Sequence, residues 1–296
     1  MPNICYEPRR FGKKAQVMLL RANEIIDEYQ KQGFELTLRQ LYYQFVARGF
    51  IPNTPKEYNN LGVLINAGRL AGEIDWDAII DRTRNLESNP HWNSPADILR
   101  SAAYSYQRDK WADQENAVEV WIEKEALIGI IERTCRKYDV AYFACRGYVS
   151  QSEMWAASQR FLNYDEQVKT VTIIHLGDHD PSGIDMTRDI FDRIRDFCRY
   201  DRSDIEVDVI RIALNMDQVR RYNPPPNPAK IKDKRANKYI QRFGSECWEL
   251  DALEPSVIEA LVAKNIQNLM DDEKWKALQA KESKEKEKIN RFADQI

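Results

Sequence analysis

Glu123, Asp178 and Asp180 are the residues whose types and spacing point most directly to chemistry. Glu123 closes the apolar run Val118-Glu119-Val120-Trp121-Ile122, and Asp178 and Asp180 close the run Val171-Thr172-Ile173-Ile174-His175-Leu176-Gly177. Residues two apart in an extended chain point the same way, so Asp178 and Asp180 address one point while His179 faces elsewhere. If the two runs are neighbouring parallel strands, the three carboxylates meet at one edge of one sheet. Such a cluster is costly unless a cation joins it. Oxygen-only ligands select a hard divalent ion, most simply magnesium, and so metal-dependent work on phosphates. The plain alternative is a pair of polar strand ends, since Asp and Gly are common in turns. Gly177 and Gly183 are expected to let the chain turn tightly and Pro181 to end the strand. Glu119 is expected on the surface of its strand, and Glu125 in the first helical turn, where negative charge is favourable.

A second group lies upstream, in Thr37-Leu38-Arg39-Gln40-Leu41-Tyr42-Tyr43. At about 100° per residue, Leu38, Leu41, Tyr42, Phe45 and Val46 share an apolar helical face. Tyr43 points roughly 130° away by the same geometry and lies one turn after Arg39. Tyr42 therefore reads as core and Tyr43 as partly exposed. An exposed phenol beside a guanidinium, which favours phenolate, is a candidate nucleophile; a surface aromatic is the bland reading.

The elements that must carry these groups follow from period and punctuation. Helices are expected over 12–32, from the Thr37 cap to Arg48, and over 58–71, followed by a turn at Gly72–Trp76. Three short helices and a turn or hairpin suit a winged-helix module, and a plain helical bundle equally. Residues 88–95, with two prolines, read as a boundary, and Pro95 to Trp111 as a connecting helix. From Val118 strands at 118–122, 140–145, 170–176 and 205–212 alternate with helices around 124–138, 151–162 and 184–199. That alternation implies a parallel sheet with ligands beyond the carboxyl ends of its strands. The expected division is 1–92 as a winged-helix-like domain, 93–117 as a connecting segment, and 118–296 as an α/β domain with a C-terminal helical extension. The charged tail from Lys274 to Arg291 reads as a solvated helix.

Composition narrows the partners. The net charge of −3 over 296 residues gives no global positive field, so a nucleic-acid surface has to be local. Candidates are Arg146, after the second strand, and Lys230, Lys232, Lys234 and Arg235 after the stiff Pro224-Pro225-Pro226 segment. Arg146 is placed either to clamp a phosphate or to form a structural ion pair, and the basic stretch equally suits a solvated loop. His175 is expected buried and satisfied, and His179 either at phosphate or metal or packed. Five cysteines without a C-x-x-C pair, no long apolar run and no signal-type start lead to the expectation of a cytoplasmic protein outside the membrane.

The wording of these motifs resembles a known superfamily. E-K-E-A after an apolar strand, then R-G, then G-D-x-D-P-x-G, resembles the Toprim domain of topoisomerases, primases and some nucleases over roughly 118–212. It is closest to the topoisomerase VI A subunit and the meiotic double-strand-break transesterase. The resemblance implies that Glu123, Asp178 and Asp180 bind magnesium. T-L-R-Q-L-Y-Y resembles the catalytic tyrosine motif of the same family, which makes Tyr43 the nucleophile on a winged-helix domain preceding the Toprim domain. It implies magnesium-dependent DNA cleavage by transesterification, and a homodimer in which tyrosine and metal come from different subunits. With no ATP-binding module in this sequence, a separate ATPase subunit is a further expected partner. A Toprim endonuclease using activated water is the first alternative, and a non-catalytic DNA-binding protein the second.

Overall fold

Strands that are apolar at nearly every position need cover on both faces, and the chain supplies it. In the computed structural model, residues 3–80, 89–164, 168–201, 205–228 and 235–296 are described. Strands β1 (Asn116–Ile122), β2 (Ala141–Ala144), β3 (Thr170–Leu176) and β4 (Glu206–Ala213) form one all-parallel sheet in the order β2-β1-β3-β4. The fold is mixed α/β. Helix α5 (Ile128–Lys137) and helix α10 (Pro255–Leu269) cover one face, where Val118, Val120, Ile122, Ile174 and Leu176 meet Ile131, Ile258 and Val262. Helices α6 (Gln151–Leu162) and α7 (Pro181–Asp201) cover the other, where Trp121, Val171 and Ile173 meet Phe161, Ile190 and Ile194.

This double cover overturns one expectation. Glu119 shares the α6 face with Trp121 and is buried, held by Arg160 at 3.1 Å and by Trp121 Nε1 at 2.8 Å. Alternation along the strand gives no solvent face when both faces carry helices.

The N-terminal part is a second core built by α1 (Lys13–Lys31), α2 (Leu38–Ala47) and α3 (Pro55–Leu70). A capping box starts α2: Thr37 Oγ1 accepts from Gln40 N, and Gln40 Oε1 from Thr37 N. Helix α3 begins three residues earlier than its apolar pattern suggests, because Thr54 caps it and Pro55 sits at its first position. After α3 the chain makes no hairpin among the described residues; Ile79 forms a single parallel bridge to Leu36. Helix α4 (Pro95–Ser105) stops short of the expected Trp111.

Helices α8 (Met216–Tyr222) and α9 (Ala236–Phe243) and the two-residue strands β5 (Asn227–Pro228) and β6 (Glu246–Cys247) follow the sheet. The charged tail forms α11 (Asp272–Ala293) and is not simply solvated. Trp275 and Glu282 are buried, and Glu282 binds Lys110 Nζ at 2.9 Å and Arg108 N at 2.8 Å. Among the described residues no helix is long and apolar enough to cross a membrane.

Candidate active site

Because β1 and β3 are adjacent and in register at Ile122 and Leu176, the residues that follow them share one edge. Glu123 Oε2 accepts from Asp178 N at 2.8 Å. Burial, then the neighbouring Asp178, pushes the Glu123 carboxyl up to about 7. Asp178 is also raised by burial, against the pull of Lys124. Asp180 is engaged by the helix that follows. Its Oδ1 accepts from Ser182 Oγ at 2.8 Å and Gly183 N at 2.6 Å, capping α7. Strand β3 ends at Leu176, so Pro181 does not end it; it is the first residue of α7.

The three carboxylates therefore share an edge without forming a ready cage. Among the described residues no group of three His, Cys, Asp or Glu side chains is arranged to hold a metal ion. The donor chemistry nevertheless fits a hard cation: Glu123 Oε1 and the Oδ2 atoms of Asp178 and Asp180 stay outside the hydrogen bonds just named. A divalent ion would offset both the burial and the neighbouring Asp178 charge that raise Glu123.

Two residues that sequence reasoning passed over organise the edge. Arg211, beside His175 on β4, donates to the carbonyl oxygens of Gly177 (2.8 Å), Asp178 (2.6 Å), Gly183 (2.9 Å) and Leu214 (3.3 Å). Burial lowers it to about 10. A charged residue between Ile210 and Ile212 in an apolar strand was the available signal. Lys124, quoted only as part of a motif, contacts Asp178 Oδ1 at 3.0 Å, Glu249 Oε2 at 2.7 Å and Asp251 Oδ2. Burial opposes its charge, but the carboxylates more than offset this and hold it protonated.

Glu249 and Asp251 reach the edge through His179. Its backbone exchanges two hydrogen bonds with Trp248 (2.8 and 3.0 Å), and Leu250 N donates to Asp178 Oδ1 at 2.8 Å. The His179 ring is buried, bonded to Tyr239 Oη at 2.7 Å and packed on Phe243, so it serves packing. Burial keeps it neutral, with its pKa lowered to about 4. His175 is buried as expected, with Nδ1 at 2.9 Å from Thr187 Oγ1, but its Nε2 has no partner. Burial lowers His175 to about 3.

The tyrosine departs from expectation. Tyr43 is 4% exposed, because the 3-10 turn Leu250–Ala252 covers the side of α2 that the helical pattern leaves open. Burial, followed by Glu249, raises its pKa, and Arg39 offsets only part of this. Arg39 lies over the Tyr43 ring at 5.9 Å and is committed to Glu249 and to Asp251 Oδ2 (3.4 Å). Tyr42 is core as expected, donating to Asn53 Oδ1 at 2.9 Å.

Of the basic candidates, Arg146 sits at the carboxyl end of β2 beside a cleft of about 620 Å³, largely exposed, its guanidinium on Glu125. Arg235 contacts Tyr148 and Asp185. Lys230, Lys232 and Lys234 lie outside the described residues. No protein-family model matches the chain, and no curated protein matches it.

Proposed function

We propose that this protein cleaves DNA by tyrosine transesterification in a magnesium-dependent reaction, in the manner of a topoisomerase VI A subunit. One observation carries the reading. Arg39, which lies over the Tyr43 ring, is joined through Glu249 to Lys124, and Lys124 binds Asp178, so the tyrosine helix and the acidic edge form one continuous polar site. A phenol delivered to that place has no structural need of two cations and a carboxylate cluster.

In this reading the N-terminal helices are a winged-helix-like cleavage domain and the sheet is a Toprim domain. Arg39 and Lys124 orient the phosphodiester and offset its charge. Tyr43 Oη bonds to phosphorus, the bond to one deoxyribose oxygen breaks, and the phenol proton is balanced by the one that oxygen takes up. Glu123 and Asp178, with Asp180 alongside, would hold magnesium, which supplies Lewis-acid stabilisation of the phosphate. DNA is the partner, aided by Arg146 and the basic stretch that includes Arg235. A homodimer cutting both strands, with Tyr43 and the carboxylates of one chain in one site rather than from different subunits, and a separate ATPase subunit belong to the same reading.

The test is denaturing gel analysis of labelled DNA incubated with magnesium. A covalent adduct with wild type, absent in Tyr43→Phe, supports transesterification. The burial of Tyr43 favours a second reading, metal-dependent hydrolysis by water. Cutting by Tyr43→Phe, with Asp178→Ala inactive, would select it.

A further inference from the structure

We infer that Arg39 and Lys124 form a two-cation clamp for a DNA phosphate, and that the Glu249 carboxylate is its resident stand-in, displaced when the phosphate enters. The inference rests on DNA being the substrate and goes further, assigning a phosphate position and a residue that guards it.

A carboxylate and a phosphate present similar charge and similar oxygen spacing to a cation pair. Glu249 Oε2 accepts from both Arg39 Nη2 and Lys124 Nζ, the latter at 2.7 Å, and Arg39 lies over the Tyr43 ring at 5.9 Å. A phosphate oxygen in its place would meet two cations, one of which lies over the Tyr43 ring, and so would sit near the nucleophile.

The two carboxylates of this segment are not equivalent. Asp251 has a side chain 0% exposed and one oxygen with no partner, so it is fixed and keeps the cations in place. Glu249 is 24% exposed, and Arg39 beside it 45%, so solvent and ligand reach this side. Its remaining tie is a long one, Asn227 Nδ2 to Oε1 at 3.3 Å. The backbone behind it is pinned by the His179–Trp248 bridge, so displacement needs only the side chain to swing.

The experiment measures binding of random-sequence duplex DNA by fluorescence anisotropy over a salt series, in a Tyr43→Phe background that cannot form an adduct. Glu249→Gln is expected to bind about three- to tenfold tighter, with a salt slope steeper by about one phosphate contact. The gain should vanish when Glu249→Gln is made in Lys124→Gln, each compared with its own parent. Glu249→Asp keeps the charge but withdraws the carboxylate. It serves if Glu249→Gln fails to fold, and should shift affinity in the same direction. Thermal melting with sodium phosphate is the second readout, and the Glu249 variants should gain more from it than wild type. Equal or weaker DNA binding by the Glu249 variants, or a gain that survives Lys124→Gln, overturns the clamp. A wild type that binds DNA without a Tyr43 adduct would instead remove the transesterase reading alone.

Discussion

Lys124 Nζ stands 3.0 Å from Asp178 Oδ1 and 2.7 Å from Glu249 Oε2, so one ammonium ties the acidic turn to the carboxylate that also binds Arg39. The group is only 18% exposed, and it also neutralises the fully buried Asp251. Removing it leaves Asp178 without its counter-ion and Glu249 and Asp251 with Arg39 alone, the costly half of a broken buried pair. Lys124→Met should therefore lose about 3–5 kcal/mol in urea unfolding at pH 7. Part of that loss should return as the pH falls and the stranded carboxylates protonate.

Glu123 gives a pH dependence of definite sign. Its pKa is raised from the ordinary carboxylate range to about 7, so between those values the folded state holds more protons than the unfolded chain. Stability from this group is then present below the unfolded pKa and is lost as pH rises toward 7. Glu123→Gln keeps an acceptor for Asp178 N and removes the charge. It should exceed wild type by about 1–3 kcal/mol at pH 8, the difference closing near pH 4.5. Magnesium should raise the wild-type melting temperature more at pH 8 than at pH 6, and should do little for Glu123→Gln.

The two glycines of the acidic turn make a paired test. A Cβ at Gly183 would lie 2.1 Å from the Asp178 carbonyl oxygen, which is backbone held by Arg211. A Cβ at Gly177 would lie 2.9 Å from Glu123 Oε2, the end of a movable side chain. Neither glycine has positive φ, so their need is close approach rather than a special turn conformation. Gly183→Ala should lose several kcal/mol or fail to fold. Gly177→Ala should fold, lose less, and displace Glu123, seen as weaker magnesium stabilisation.

These contrasts show what the sequence made legible. The strands were readable because Val118–Ile122 and Val171–Leu176 are long apolar runs with abrupt polar ends, and their adjacency placed Glu123 at Asp178. Helix boundaries followed from caps such as Thr37. Tyr43 was misjudged because helical geometry describes one helix in isolation. Its cover comes from a turn more than 200 residues later. Glu249 and Asp251 carry no local signature at all. They matter only because His179 pairs with Trp248, a contact between distant segments. Asp180 read as a metal ligand, and here its Oδ1 satisfies the first turn of α7.

Glu282 tests the C-terminal helix. It joins Lys110 Nζ, Arg108 N and, at 2.8 Å, Lys286 Nζ, and these partners hold its carboxyl down at about 2 although burial opposes this. A lowered carboxylate contributes stability above its unfolded pKa and loses it as pH falls through the folded value. Glu282→Ala should cost about 2–4 kcal/mol at pH 7 and progressively less on acidification from pH 4.5 toward 2, measured by urea unfolding.

Arg211 and Arg146 are both arginines near the carboxyl ends of strands, yet they hold unlike places. Arg211 is buried and spans four backbone carbonyls of the segments that carry Asp178 and Leu214. An ammonium cannot reproduce that fork, because it presents one point of charge where the guanidinium presents a plane of donors. Arg146 pairs with Glu125 in solvent, where such a pair contributes little. Arg211→Lys should therefore cost about 2–4 kcal/mol and loosen the 177–183 turn, seen as faster amide exchange there. Arg146→Lys should change stability by less than about 0.5 kcal/mol. If both lysine variants melt alike, the turn is held by its own backbone and capping bonds, and Arg211 is not its anchor.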